Sequence, residues 1–169
     1  MKNLWSPWRS KYIDSLKEEQ SGGGECIFCE AVNKDVADLK NLVVHKSKNT
    51  LVLMNLFPYN NGHLMVVPFR HLGSLDQISK EESHEIIDEL MLAERVLRKI
   101  YNPQGFNIGA NLGRAGGAGI DDHIHFHILP RWNGDTNFMP VIGEVKVISK
   151  DLLETKKRLL SGYEEILKK

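Results

Sequence analysis

Disulfide chemistry has almost no material in this chain: 169 residues contain two cysteines, Cys26 and Cys29. A fold stapled by several bridges is excluded. In a reducing compartment, a Cys-x-x-Cys pair serves a metal or redox chemistry more often than a structural bond. Net charge is missing too. Lys+Arg and Asp+Glu each total 22, a formal charge of zero. That balance argues against a surface built broadly for nucleic acid or anionic membrane, though not against a local anion site. No apolar run is long enough to span a bilayer, and the segment from Met1 to Arg9 lacks the apolar core of a signal peptide. A cytoplasmic protein is expected, with neither nucleic acid nor a membrane as partner. There is no internal repeat and no sign of a second domain.

What is present suits one globular domain: an apolar fraction of 41% over a length that can bury a proper core. Trp5, Trp8 and Tyr12 mark an aromatic, basic arm with helical character over 10–19, and Ser21-Gly-Gly-Gly24 breaks the chain after it. Strands are expected at Leu42–His45, Leu51–Asn55 and His63–Pro68, the last two separated by the turn Phe57–Gly62. Ser79-x-x-Glu82 is a capping box, and it opens the longest helix. Ile86, Ile87, Leu90, Met91, Leu97 and Ile100 recur there at helical spacing, and Asn102-Pro103 ends it. Further strands follow at Phe106–Leu112 and His123–Pro130. Leu152, Leu153, Leu159, Leu160 and Tyr163 outline a closing C-terminal helix. Short connections favour antiparallel pairing with helix on one face, an α+β fold.

Three of the seven histidines fall within five residues, His123, His125 and His127. In a strand they share one face, while Ile124, Phe126 and Ile128 share the other. Neighbouring imidazoles would then stand roughly 6.5–7 Å apart, so all three would span about 13 Å, too far for one ion. A zinc hydrolase with two of the three as ligands remains an alternative. The other use of such a row is nucleophilic: a neutral imidazole can attack phosphorus and form a covalent intermediate. The middle histidine, His125, is the natural attacker, flanked by imidazoles that can bind phosphate oxygens or protonate a leaving group. His63 follows a turn at the start of the third strand and can join them. The loop Gly113–Gly119 directly precedes the histidines, and its missing Cβ atoms let backbone N–H groups approach an anion, with Arg114 nearby. It is neither a P-loop nor a dinucleotide fingerprint.

Cys26 and Cys29 have tetrahedral-zinc spacing, and two more ligands would have to come from elsewhere, His71 and His123 being candidates. On spacing alone this stands level with two buried reduced cysteines and a surface His71.

His123-Ile-His125-Phe-His127-Ile-Leu129 resembles the histidine triad (HIT) signature, His-φ-His-φ-His-φ-φ with φ apolar. The segment Asn55–Pro68 resembles that family's second conserved block, and Asn111-Leu-Gly113 its approach to the glycine loop. The Trp5–Arg9 arm and the Pro130–Phe138 tail resemble the bacterial diadenosine tetraphosphate phosphorylase-like branch. The resemblance implies a HIT-like fold, an antiparallel sheet of about five strands packed by one long helix with a C-terminal helix. The boundaries expected are an arm at 1–24, the HIT-like domain at 25–140, and a C-terminal segment and helix at 141–169. It implies cleavage of dinucleoside polyphosphates through a nucleotidyl-His125, resolved by phosphate or by water. His127 and His63 would assist, and the AMP-containing substrate would be held by Asn55, Asn111, Gly117, Ala118, Gly119, His125 and His127. It also implies a structural zinc on Cys26, Cys29, His71 and His123, and a homodimer whose sheets continue across the subunits. One departure stands out. The family's loop often ends Gly-Gln-Ser-Val-x-His, whereas here Ala118-Gly-Ile-Asp-Asp-His123 has no serine. Phosphoramidase activity is thereby disfavoured relative to anhydride cleavage. A nucleotide-binding protein without turnover is the remaining alternative.

Overall fold

The computed structural model describes residues 26–135 and 151–168. The arm with Trp5, Trp8 and Tyr12, the Gly22–Gly24 break and the Phe138 tail lie outside the described residues. The elements in chain order are α1 (Ile27–Val32), β1 (Val43–Lys46), β2 (Thr50–Met54), β3 (Leu64–Pro68), α2 (Lys80–Tyr101), β4 (Gly105–Ala110), β5 (Phe126–Arg131) and α3 (Leu152–Leu167). The five strands form one sheet in the order β1-β2-β3-β5-β4, every pair antiparallel.

β2 and β3 are buried along their whole length, because both faces of the sheet are covered. Alternate residues explain this. Val44, Val52, Met54, Leu64, Val66 and Ile128 point to α2 and α3, where Ile86, Leu90, Ala93, Val96, Leu97, Leu159 and Tyr163 close the larger core. Val43, Leu51, Leu53, Met65 and Val67 point the other way, onto Phe28 and Ala31 of α1 and Ile120 of the loop before β5.

The long helix starts where its capping box predicts. The Ser79 hydroxyl accepts from Glu82 N–H at 3.2 Å, and the Glu82 carboxylate accepts from Ser79 N–H at 2.9 Å. It ends at Asn102, whose left-handed φ of 46° turns the chain into Pro103. Arg70, just past β3, forks onto the same Glu82 with two contacts of 2.7 Å. The helix start is thereby fixed to the sheet. Of the apolar residues that recur at helical spacing, Ile87 and Met91 are 55% and 56% exposed. Ala93 and Val96 join Ile86, Leu90 and Leu97 on the buried stripe.

The histidine segment also departs from a plain strand. Ladder pairing begins only at Phe126, opposite Val66 and Ala110. His123 sits in a bend, and Ile124 N–H donates to Leu72 O at 2.7 Å, outside the sheet. The chain crosses from the glycine loop beneath the segment after β3 before it joins the sheet. Only His127 of the three therefore lies within the strand.

Candidate active site and metal cluster

The five imidazoles and two thiols divide into two groups, and the proton of His63, His123, His125 and His127 can be assigned from a hydrogen-bond partner. His123 Nε2 lies 2.9 Å from Pro68 O. A carbonyl only accepts, so Nε2 carries the proton and Nδ1 presents its lone pair. That Nδ1 stands 3.3 Å from Cys26 Sγ and 3.7 Å from Cys29 Sγ, while His71 Nδ1 is 3.3 Å from Cys29 Sγ. The ligand atoms of all four residues lie within 4.8 Å of one another. Thiolate and imidazole bound at about 2.3 and 2.0–2.1 Å in a tetrahedron stand about 3.5 Å apart, so the three sulfur–nitrogen separations of 3.3, 3.3 and 3.7 Å are those of tetrahedral edges. The donor set Cys2His2 is one that zinc prefers, and the cluster can hold a metal ion. His71 Nε2 faces Asp122 Oδ2 at 3.5 Å, which sets that ring's orientation from its outer side. Burial pushes His123 below the ordinary histidine value against the opposing Pro68 carbonyl, which favours the neutral, ligating form.

His125 is anchored differently. Its Nδ1 lies 2.9 Å from the His123 carbonyl, so Nδ1 carries the proton and Nε2 holds the lone pair. Burial is the main cause lowering its pKa, outweighing that carbonyl bond. The ring is therefore neutral near pH 7. The His127 ring lies 4.9 Å from it at 79°.

His127 is the end of a directed chain. Tyr59 N–H donates to His63 Nδ1 at 3.1 Å, leaving the His63 proton on Nε2. His63 Nε2 then meets His127 Nδ1 at 2.9 Å, so the His127 proton sits on Nε2. The site thus offers one imidazole as a lone pair and its neighbour as a donor. His63 is 2% exposed and His127 8%, so the contact between them is buried. The turn that delivers Tyr59 is tied down by Asn60 Nδ2, which donates to Asp135 Oδ2 at 2.9 Å. Arg131 forks onto Asp135, and its guanidinium holds that carboxyl down at about 2. Gly62, with φ of 81°, closes the turn so tightly that a Cβ there would come 2.9 Å from the Tyr101 ring.

The glycine loop folds on itself. Gly116 and Ala118 N–H both donate to Gly113 O, and Gly117 N–H to Arg114 O. Asn111 Nδ2 reaches Gly117 O at 3.3 Å. Gly113 and Gly117 have φ of 65° and 90°, which only glycine adopts readily. Arg114 donates to Asp121 Oδ2 at 2.9 Å, so its charge is balanced by a neighbour. Asn55 Oδ1 accepts from Phe57 N–H at 2.9 Å, forming the turn after β2, and Asn55 lines a small cavity with His63, Leu152 and Thr155. Tyr59, Phe28 and Asp122 enter the site without a sequence motif of their own. Phe28 sits between the two cysteines, Tyr59 lies inside the Asn55–Pro68 block four residues before His63, and Asp122 directly precedes His123.

The HIT domain profile matches residues 36–134. The chain is 35% identical over 165 residues to an AP-4-A phosphorylase of Mycobacterium tuberculosis, covering 96% of this chain and 85% of that protein. It is 33% identical over 91 residues to a bis(5'-adenosyl)-triphosphatase of Saccharomyces cerevisiae, covering 53% of this chain and 44% of that one. A Zn-bound histidine triad family protein from Mycobacterium smegmatis shares the fold, with a TM-score of 0.68 at 24% identity over 85% of this chain and 96% of that one. With the profile spanning the sheet, the long helix and all three triad histidines, the chain belongs to the HIT domain family.

Proposed function

We propose that this protein cleaves dinucleoside polyphosphates through a nucleotide carried covalently on His125. The observation that carries the reading is the pair of opposite tautomers, His125 with its lone pair on Nε2 beside His127 with its proton on Nε2. His125 Nε2 attacks the α-phosphorus of an adenylate and the P–O bond of the anhydride breaks. With diadenosine tetraphosphate, ATP leaves with the bonding electron pair. His125 Nδ1–H keeps its bond to the His123 carbonyl, which stabilises the positive charge on the phosphorylated ring. His127 Nε2–H donates to the departing oxygen or to a non-bridging phosphate oxygen. An acceptor oxygen then attacks phosphorus and the P–N bond breaks.

Phosphate is the acceptor proposed, giving ADP plus ATP; the likeness to an AP-4-A phosphorylase across nearly the whole chain supports it. Asn111 and the loop Gly117–Gly119 line the approach to the phosphates. Gly116, Gly117 and Ala118 spend their N–H groups inside the loop, which leaves Gly119 as the amide to offer. Asn55 is assigned to the ribose. The four-ligand cluster Cys26, Cys29, His71 and His123 is proposed as a structural zinc site, because a metal closed by four protein ligands has no open position for a reacting water. A triad-centred metal is disfavoured: His127 Nδ1 accepts from His63 and its Nε2 carries the proton, so the pair offers an ion one lone pair, that of His125 Nε2. A homodimer across β4 is also proposed. That strand is an open edge of the sheet, with Ile108 51% exposed on it.

The deciding experiment is product analysis with diadenosine tetraphosphate, with and without inorganic phosphate. ADP appearing only with phosphate supports the reading, AMP in both conditions makes water the acceptor, and no turnover of any anhydride with tight AMP binding identifies a binding protein.

A further inference from the structure

His125 is placed unusually for a nucleophile. Its residue precedes the first ladder pair of β5, so the sheet does not set its backbone. Its ring meets the His123 carbonyl, the His127 ring and Phe28. The Phe28 ring centroid lies 4.9 Å from that of His125 at 45°, and 5.3 Å from that of His123 at 74°. Phe28 is 1% exposed and occupies the position between Cys26 and Cys29. One side chain thus bridges the metal cluster and the attacking imidazole.

The helix that carries Phe28 has six residues, far too few to hold its shape alone. Its described ties are the burial of Phe28 and Ala31, the Lys46 ammonium on Val32 O at 2.6 Å, and the cysteines at its start. A metal binding Cys26 and Cys29 to His71 and His123 fixes that helix against the segment carrying His125. Without the metal, Phe28 loses the constraint on both sides of its position in the chain.

We infer that Phe28 is the positioning residue for His125, and that metal binding acts on turnover through it. The His123 carbonyl fixes which nitrogen of His125 is bare. Phe28 and His127, on two sides, fix where that nitrogen stands. Displacement of about 1 Å at a reacting atom costs on the order of a hundredfold in rate, while substrate held by other groups keeps its affinity.

The inference rests on the reading of His125 as nucleophile, and the test separates the two. kcat, KM and zinc content are measured for wild type, Phe28→Leu and Phe28→Ala, each before and after chelator treatment, beside His125→Ala. Phe28→Leu keeps the apolar filling and guards against loss of the fold. The expected result is full zinc content in Phe28→Leu, KM within about twofold, and kcat reduced about ten- to a hundredfold. Chelation should lower kcat of wild type by a similar factor and add little to the loss in Phe28→Leu, as for two changes acting on one element. The inference is overturned if zinc-loaded Phe28→Leu keeps wild-type kcat, if its loss lies in KM alone, or if chelation reduces the variant as strongly as wild type. Activity in His125→Ala would instead sink the nucleophile assignment itself.

Discussion

His63 Nε2 meets His127 Nδ1 at 2.9 Å, and with Tyr59 N–H on the far side of His63 that contact runs in one direction only. In the proposed mechanism His63 acts through His127, by holding its ring and its tautomer. Replacing His127 with alanine should lower kcat by about 10²–10⁴, the usual worth of a positioned proton donor. His63→Ala should cost less. The double variant should be little worse than His127→Ala, because the two losses act on one group. Fully additive losses in steady-state assays would show that His63 has a separate role at the phosphate.

The metal cluster makes a prediction independent of catalysis. Cys26→Ser should lose its zinc by elemental analysis, and its thermal midpoint should fall, since metal binding to a folded site adds directly to folding free energy. Zinc retained in full by Cys26→Ser would reject this cluster and move attention to the triad. The other three ligands, Cys29, His71 and His123, should behave alike.

Acid stability should depend on Glu82. The Arg70 guanidinium, first among several contacts, holds its carboxyl down from 4.5 to about 2. A carboxyl depressed by folding stabilises the protein fully above about pH 4.5 and loses that contribution as pH falls toward 2. Glu82→Gln should lower the thermal midpoint at pH 7 by about 3–5 °C, chiefly through the weakened cap and fork. The gap between variant and wild type should close below pH 3. A gap that stays constant from pH 7 to pH 2.5 would show that the ionised Glu82 contributes nothing.

Much of this architecture was legible in the residues. Ser79, Glu82 and Asn102 marked the long helix because capping is a local reaction between neighbours, and His63–Pro68 read as a strand because a short apolar run ended by a proline is a local signal too. The site was legible only as a list. His71 and Cys29 are 42 positions apart and meet through sheet topology, which spacing does not encode. The bend at His123 could not be read either, since alternating His and apolar residues look the same whether the ladder begins at His123 or at Phe126. The resemblance to the HIT signature supplied roles; the hydrogen-bond partners Pro68, His123 and Tyr59 supplied the tautomers that make those roles chemically distinct.

The open β4 edge predicts assembly. Sedimentation should find a dimer for the wild type, and Ile108→Asp, which places a charge on the exposed edge, should shift it toward monomer. A wild-type monomer at all concentrations, or a variant that dimerises equally well, would place the interface elsewhere.

The central claim is a covalent bond from His125 Nε2 to phosphorus, and intact-mass spectrometry after rapid quenching tests it most directly. Enzyme mixed with diadenosine tetraphosphate in the absence of inorganic phosphate should gain the mass of one adenylyl group. The adduct should be lost in acid, as a phosphoramidate is, discharged by added phosphate with release of ADP, and missing from His125→Ala. Turnover by wild type with no adduct at any quench time, or an adduct of the same mass on His125→Ala, would contradict the account.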